Sequence, residues 1–381
     1  MKKLLLGTTA LIGAVAISTS AIAGGAAHSS KAASAAAGSN LNVTVGGFID
    51  FQAGFADQDS AFETGANSRE YKFQNDTEVH VNVSGQSDNG LKYGAVIELE
   101  ADISNASSNE GVNADKTYIF VESKGGRVEL GGNTGAENTL KVDAASIARA
   151  TGGVDGDFYD FANLSGATFI IRPDLPSSHA LGVSDDATKI TYYTPSFNGA
   201  QVGISYTPDN GDAGSAAGFT GELNGDQENI FGLGLNYARD VDGVGVTASV
   251  TGEFGDAELA GTEDTSAWAL GLGLDYQGYS LAGSWADWGE SGLATGSIND
   301  DQQVWTLGAA YETGPFGVSL TYLDSESQDR EFTNLVLGAD YALAPGLVPY
   351  VEVSFFETDD NNIATTDNDG SVVLIGAELN F

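Results

Sequence analysis

From Leu41 onward the chain repeats one unit: about ten residues in which apolar and polar positions alternate, then a turn or a loop. In the first unit Leu41, Val43, Val45, Ile49, Phe51, Ala53 and Phe55 alternate with Asn42, Thr44, Gly46, Asp50 and Gln52, and Phe48 breaks the pattern. The second sets Tyr71, Phe73, Val79, Val81 and Val83 against Glu70, Lys72, Gln74, Asp76, Glu78, His80 and Asn82. Later units repeat it, as in Trp268, Leu270, Leu272, Leu274, Tyr276, and end with Val373, Ile375, Ala377, Leu379, Phe381. A period of two places the two sets on opposite faces of a strand.

Several apolar faces run aromatic, aliphatic, aliphatic, aromatic. A bilayer explains this, because Tyr and Trp favour its two interfaces and aliphatics fill its hydrocarbon band; a soluble sandwich has no such requirement. The opposite faces are mostly Gly, Thr, Ser, Asn, Asp and Glu, which suits water better than a packed core. Short turns fall near 86–89, 124–126, 196–198, 240–243, 277–278, 314 and 344–346. Long polar loops fall near 56–69, 102–115, 133–187, 208–228, 254–266, 288–302, 324–330 and 357–370. Their alternation predicts a 16-stranded antiparallel transmembrane β-barrel, with both chain ends on the short-turn side and a lumen wide enough for water.

The N-terminus changes the compartment. Met1-Lys2-Lys3, the apolar stretch Leu4 to Ile17 and Ala21-Ile22-Ala23 predict a signal peptide over 1–23. The Ala/Ser/Gly-rich stretch 24–40 reads as a flexible lead-in, and 41–381 as the barrel. The exported chain has no cysteine, so disulfides, thiol nucleophiles and cysteine-ligated metals are excluded. The full chain's 15 Lys+Arg against 53 Asp+Glu give a formal net charge of −38, which argues against nucleic acid as a partner.

Several segments resemble the general porins of Gram-negative bacteria, especially the trimeric alphaproteobacterial type. They are Phe73-Gln74-Asn75-Asp76-Thr77-Glu78-Val79, Asn89-Gly90-Leu91-Lys92-Tyr93-Gly94, Gly125 to Gly131, Ile190-Thr191-Tyr192-Tyr193-Thr194-Pro195 and Ser205-Tyr206-Thr207-Pro208. The likeness spans nearly the whole chain after the signal, although 24–40 departs from it. It implies a homotrimer in the outer membrane, among lipid and lipopolysaccharide, passing small hydrophilic solutes and ions by diffusion. It also implies that terminal Phe381 is a mark read by the barrel-assembly machinery, and that the third long loop folds inward to narrow the pore.

That loop, 132–187, is far longer than the others and carries Glu137, Asp143, Asp155, Asp157 and Asp160. Long loops are usually functional. We expect Asp155, Asp157 and Asp160 to line an acidic side of a constriction, with Glu137 and Asp143 in the same loop; the alternative is a solvated outer loop. Lys72, Lys92 and Arg127 share the polar phase of their strands and Arg69 precedes Lys72, which predicts an opposing basic wall. The alternative is pairing within the wall, with Glu70, Asp76 and Glu129. The acidic balance suggests weak cation preference.

Other chemistry is sparse. Histidine occurs only at His28, His80 and His179, and neither G-x-S-x-G nor H-E-x-x-H appears, so no enzyme is expected. No cofactor is expected either. Asp359-Asp360-Asn361-Asn362, Asp367-Asn368-Asp369 and Asp155 to Asp160 are oxygen-rich and are candidates for calcium, but none has the spacing of a calcium loop. A substrate-selective channel is the alternative function, and it would need an aromatic slide; Trp285 shares the apolar phase, whereas Trp288 is open.

Overall fold

The computed structural model describes residues 41–59, 62, 69–102, 113–164, 170–176, 187–211, 227–297, 302–360 and 367–381. The expected signal peptide, the lead-in, His28, His179, Asn361 and Asn362 lie outside these residues. The strands are β1 (Asn42–Gln58), β2 (Tyr71–Gln86), β3 (Lys92–Glu100), β4 (Asn113–Ser123), β5 (Gly126–Gly132), β6 (Thr188–Tyr193), β7 (Ala200–Asp209) and β8 (Gln227–Val241). They continue as β9 (Val244–Ala257), β10 (Thr265–Tyr276), β11 (Tyr279–Asp287), β12 (Gln302–Thr313), β13 (Phe316–Ser327), β14 (Arg330–Tyr341), β15 (Leu347–Asp360) and β16 (Asn368–Asn380). Each pairs antiparallel with its chain neighbours, and β1 closes on β16 from Phe48 opposite Asn380 to Gln58 opposite Gly370. Closure leaves no strand edge unpaired, which a hydrocarbon surround requires.

Register follows the hydrophobic phase. Val43 lies opposite Val83 and Val45 opposite Val81 on the outer face; Asp50 opposite Asp76 and Gln52 opposite Gln74 share the inner one. Phe48, out of phase in the sequence, sits opposite Glu78 on that inner side. Three short turns set the pairing by their chemistry. Asn198-Gly199, Asp242-Gly243 and Gln277-Gly278 all hold positive φ at both residues, as a two-residue hairpin with right-handed strand twist demands. Aromatics bracket the outer band: Trp285 contacts Trp268 and Trp305 near one end of β11, and Tyr279 meets Tyr311 at 4.5 Å near the other.

One expected long loop is absent. In the stretch 324–330, β13 and β14 pair as far as Ser327 opposite Arg330, so only Gln328 and Asp329 turn the chain. Polarity there marks emergence from the hydrocarbon band and not the end of the strand.

Candidate functional site: the inward loop and its lumen

After β5 the chain turns into the barrel and follows its inner wall. The short helix α1 (Ala136–Thr139) begins the path: the Ala136 amide donates to Ser205 Oγ on β7 at 3.1 Å. The Val142 amide then donates to Ser249 Oγ on β9 (2.9 Å), Ala144 to Thr306 Oγ1 on β12 (3.1 Å) and Arg149 to Ser319 Oγ on β13 (2.9 Å). Thr151 reaches Glu352 on β15 through its amide (3.2 Å) and its hydroxyl (2.7 Å). Gln52 on β1 donates to Asp157, and Gln74 on β2 to Asp160 at 2.8 Å. Buried backbone amides need acceptors, and inward hydroxyls at period-two positions supply them. Close approach also needs missing side chains: a Cβ on Gly271 would meet the Val142 carbonyl, and one on Gly54 the Phe161 ring.

A hydrophobic core forms inside the barrel where the loop meets β12 to β16. Val154, Phe158, Ile170 and Leu175 of the loop pack with Val304, Leu323, Phe332, Val336, Phe356, Val372 and Leu374 of the wall. Phe158 stacks on Phe332 with ring centres 6.2 Å apart, and neither is exposed. Trp288 joins this core, its indole N–H donating to the Asp174 carbonyl at 3.1 Å. It is therefore not a lumen slide, and Trp285 lies in the outer aromatic band.

The five loop acids separate into two roles. Glu137 is buried and accepts from Ser205 Oγ at 2.8 Å. Asp143 is buried too; it caps the turn Ala144–Ile147 by accepting from the Ser146 amide at 3.1 Å, and pairs with Lys141 at 3.3 Å. Both hold the loop in shape. Asp155, Asp157 and Asp160 lie further along; the first two are half-buried and Asp160 is exposed. Burial pushes Asp155 up to about 7, with Asp174 adding to it and Lys141 opposing. Burial also raises Asp157 to about 6, against the hydrogen bond from Gln52 and with help from Asp160 and Asp50. Burial alone would depress Lys141, but Asp174, Asp143 and Asp155 outweigh it and hold its ammonium above the ordinary value.

The four expected wall cations fall into two pairs. Arg69 and Lys72 border a cleft of about 380 Å³ with Gly54, Asp160 and Phe161, and Lys72 lies 4.7 Å from the centre of the Phe161 ring. Lys92 and Arg127 sit near the short-turn ends of β3 and β5. There Lys92 pairs with Glu122 at 2.8 Å, and Arg127 with Glu129 at 2.5 Å. Period two gave Lys72, Lys92 and Arg127 one phase but said nothing of height, and β2 alone separates Lys72 from the level of Lys92 by fourteen residues, roughly 45 Å. The wall between these pairs, on β2 to β4, carries Asp76, Glu78, His80, Glu98, Glu100 and Lys116.

A closed 16-stranded barrel with a long loop packed inside it has close structural parallels. The anion-selective porin from Comamonas acidovorans superimposes with a TM-score of 0.66 at 17% identity, over 90% of this chain and 100% of that one. Mutant forms of the Rh. blastica porin superimpose with TM-scores of 0.57 to 0.58 over 89% of this chain and 100% of theirs, at 17% identity. Uncharacterized proteins of Rickettsia felis and Rickettsia typhi are 24% and 26% identical, each over 90% of this chain and 93% of their own length. The family model for Gram-negative porins matches residues 16–361. The chain belongs to the Gram-negative porin family. It is accordingly an outer-membrane channel protein for passive diffusion.

Two groups of residues in this porin escaped the sequence reading. The inward Val304, Leu323, Phe332 and Val336 are isolated apolar residues on faces otherwise built mainly of Ser, Thr, Asn, Gln and Gly, and only those out-of-place side chains could have signalled a packed interior. Glu98, Glu100 and Lys116 share the polar phase of their strands, but phase alone does not show that the register sets Glu98 opposite His80 and Lys116, and Glu100 opposite Glu78.

Proposed function

We propose that this porin is a general diffusion channel, a homotrimer that passes small hydrophilic solutes and ions with a weak preference for cations. The observation that carries the reading is the concentration of acid on the inward loop and on the wall next to it. Asp155, Asp157 and Asp160 stand on the loop, and Asp76, Glu78, Glu98 and Glu100 stand on the wall of β2 and β3. Lys116 is paired with Glu98 at 2.8 Å and Arg172 with Asp155 at 3.7 Å; Arg69 and Lys72 border the cleft beside Asp160, and the acids of loop and wall outnumber these cations. Acids lining a narrow aqueous path favour cations there. The Comamonas protein is named anion-selective, but at 17% identity the shared property is the barrel and not its lining.

Phe381 supports an assembly role for the C-terminus: it exchanges backbone hydrogen bonds of 3.1 Å with Gly47 at the β1–β16 seam and is 45% exposed. Recognition by the assembly machinery, contact with lipopolysaccharide and the trimer belong to this same proposal. Calcium is not part of it: Asp360 pairs with Arg330 at 3.1 Å and its amide is taken by Asp367.

The test is reversal potential in a planar bilayer under a potassium chloride gradient, with single-channel steps recorded. Stepwise conductance in threes and a potential of cation sign are expected. An anion sign would overturn the selectivity, and a silent barrel the diffusion reading.

A further inference from the structure

The wall of β2 and β3 carries one cluster of different chemistry. Glu78 and His80 are two residues apart and share the inner face of β2; Glu98 on β3 is the register partner of His80. Their potential ligand atoms all lie within 4.8 Å of one another, and His80 Nε2 is 2.6 Å from Glu78 Oε2. Tetrahedral zinc, with bonds near 2.0–2.2 Å, sets its ligand atoms roughly 3.3 Å apart. One spacing is 2.6 Å and none exceeds 4.8 Å, so adjusting side-chain torsions would be enough to set one imidazole nitrogen and two carboxylates at that value.

Three surroundings favour a cation there. Glu78 lies directly opposite Glu100, and like charges facing across a ladder are unfavourable without a counter-charge. The Phe48 ring stands edge-on to His80, 6.3 Å away at 85°, which limits the ring's orientation. The side chains of His80, Glu78 and Glu98 are 22%, 19% and 18% exposed, so ions in the lumen reach them. One group opposes: the Lys116 ammonium is 2.8 Å from Glu98 Oε2 and 3.1 Å from Asp115.

We infer that Glu78, His80 and Glu98 form a binding site for a divalent transition-metal ion of the zinc type on the pore wall, with Lys116 as its tethered competitor. The imidazole sets the class: nitrogen ligands suit zinc, nickel and copper, whereas calcium and magnesium take oxygen. A bound ion adds positive charge beside the passage and takes space in it, so it reduces cation current.

Equilibrium dialysis of the refolded full-length porin in detergent against zinc, with magnesium as the comparison, tests the site. Saturable zinc binding that magnesium does not displace is expected. His80→Ala should weaken it tenfold or more, since even partners of metal ligands are worth about 10–100-fold in affinity. Lys116→Met should tighten it, a gain that misfolding cannot produce. Zinc current block in a bilayer should follow the same order. Zinc binding unchanged in His80→Ala, or none in either the native porin or Lys116→Met, overturns the site. The block measurement rests on the open-pore reading and dialysis does not. A barrel that is silent without metal yet binds zinc through His80 therefore refutes the pore and supports the site.

Discussion

Asp157 shows how one residue couples the loop to the pore. It is held by Gln52, stands near Asp160 and Asp50, and is raised to about 6 chiefly by burial; Asp155 is raised to about 7. Both carry charge at pH 8 and lose it as the pH falls towards 5. We therefore expect cation preference to decline over that interval, read as a shrinking reversal potential. Asp157→Asn should remove the lower part of the decline; a flat profile in the native porin would contradict the placement of these acids at the constriction. Stability carries the opposite sign. Because the folded pKa lies above the ordinary 3.8, the folded state binds more protons than the unfolded chain between the two values. The contribution of Asp157 to stability thus falls as pH rises through that window. Asp157→Asn should raise the unfolding temperature relative to the native porin at pH 8 and lose that advantage at pH 4.

At the scale of elements, the inward loop is held by hydroxyls of strands it meets far along the chain. Ser249, Thr306 and Ser319 each accept from a loop amide at 2.9–3.1 Å. Replacing all three with Ala leaves those amides without partners, at about 1–3 kcal/mol for each one that stays buried. The penalty falls on loop docking and not on the barrel ladders. We expect faster hydrogen exchange at Val142, Ala144 and Arg149, noisier channel current, and unchanged protection in the strands; uniform loss of protection would show that loop and barrel unfold together. These contacts also mark what the sequence could tell. Alternation at Val79, Val81 and Val83 or at Leu270, Leu272 and Leu274 was legible because lipid rejects polar groups on one face only. Ser249 and Thr306 looked like any lumen hydroxyls, since their partners lie 107 and 162 residues away. The Asp-rich stretch from Asp155 to Asp160 was visible in the sequence, but not that Asp157 and Asp160 would be held by Gln52 and Gln74. Glu137 and Asp143 belong to the same acidic run, yet burial against the wall gave them a different task.

At the scale of the whole molecule, two distributions of charge act over different ranges. The chain carries a net −38, but part of it stands on outer loops and strand ends, such as Asp359 and Asp369, while Asp76, Glu78, Glu98 and Glu100 stand beside the passage. Salt separates the two contributions. The screening length is about 10 Å at 0.1 M and about 3 Å at 1 M. Outer acids act on an ion over a distance that concentrated salt removes; acids lining a narrow path act nearly at contact. Cation preference should therefore drop between 0.1 M and 1 M potassium chloride but not vanish. The part that persists at 1 M should be lost on neutralising Asp76 and Glu100 with Asp155 and Asp157, and kept on neutralising Asp359 and Asp369. If the outer pair abolishes the high-salt preference instead, selectivity resides at the pore mouth, and the inward loop serves to set size rather than charge.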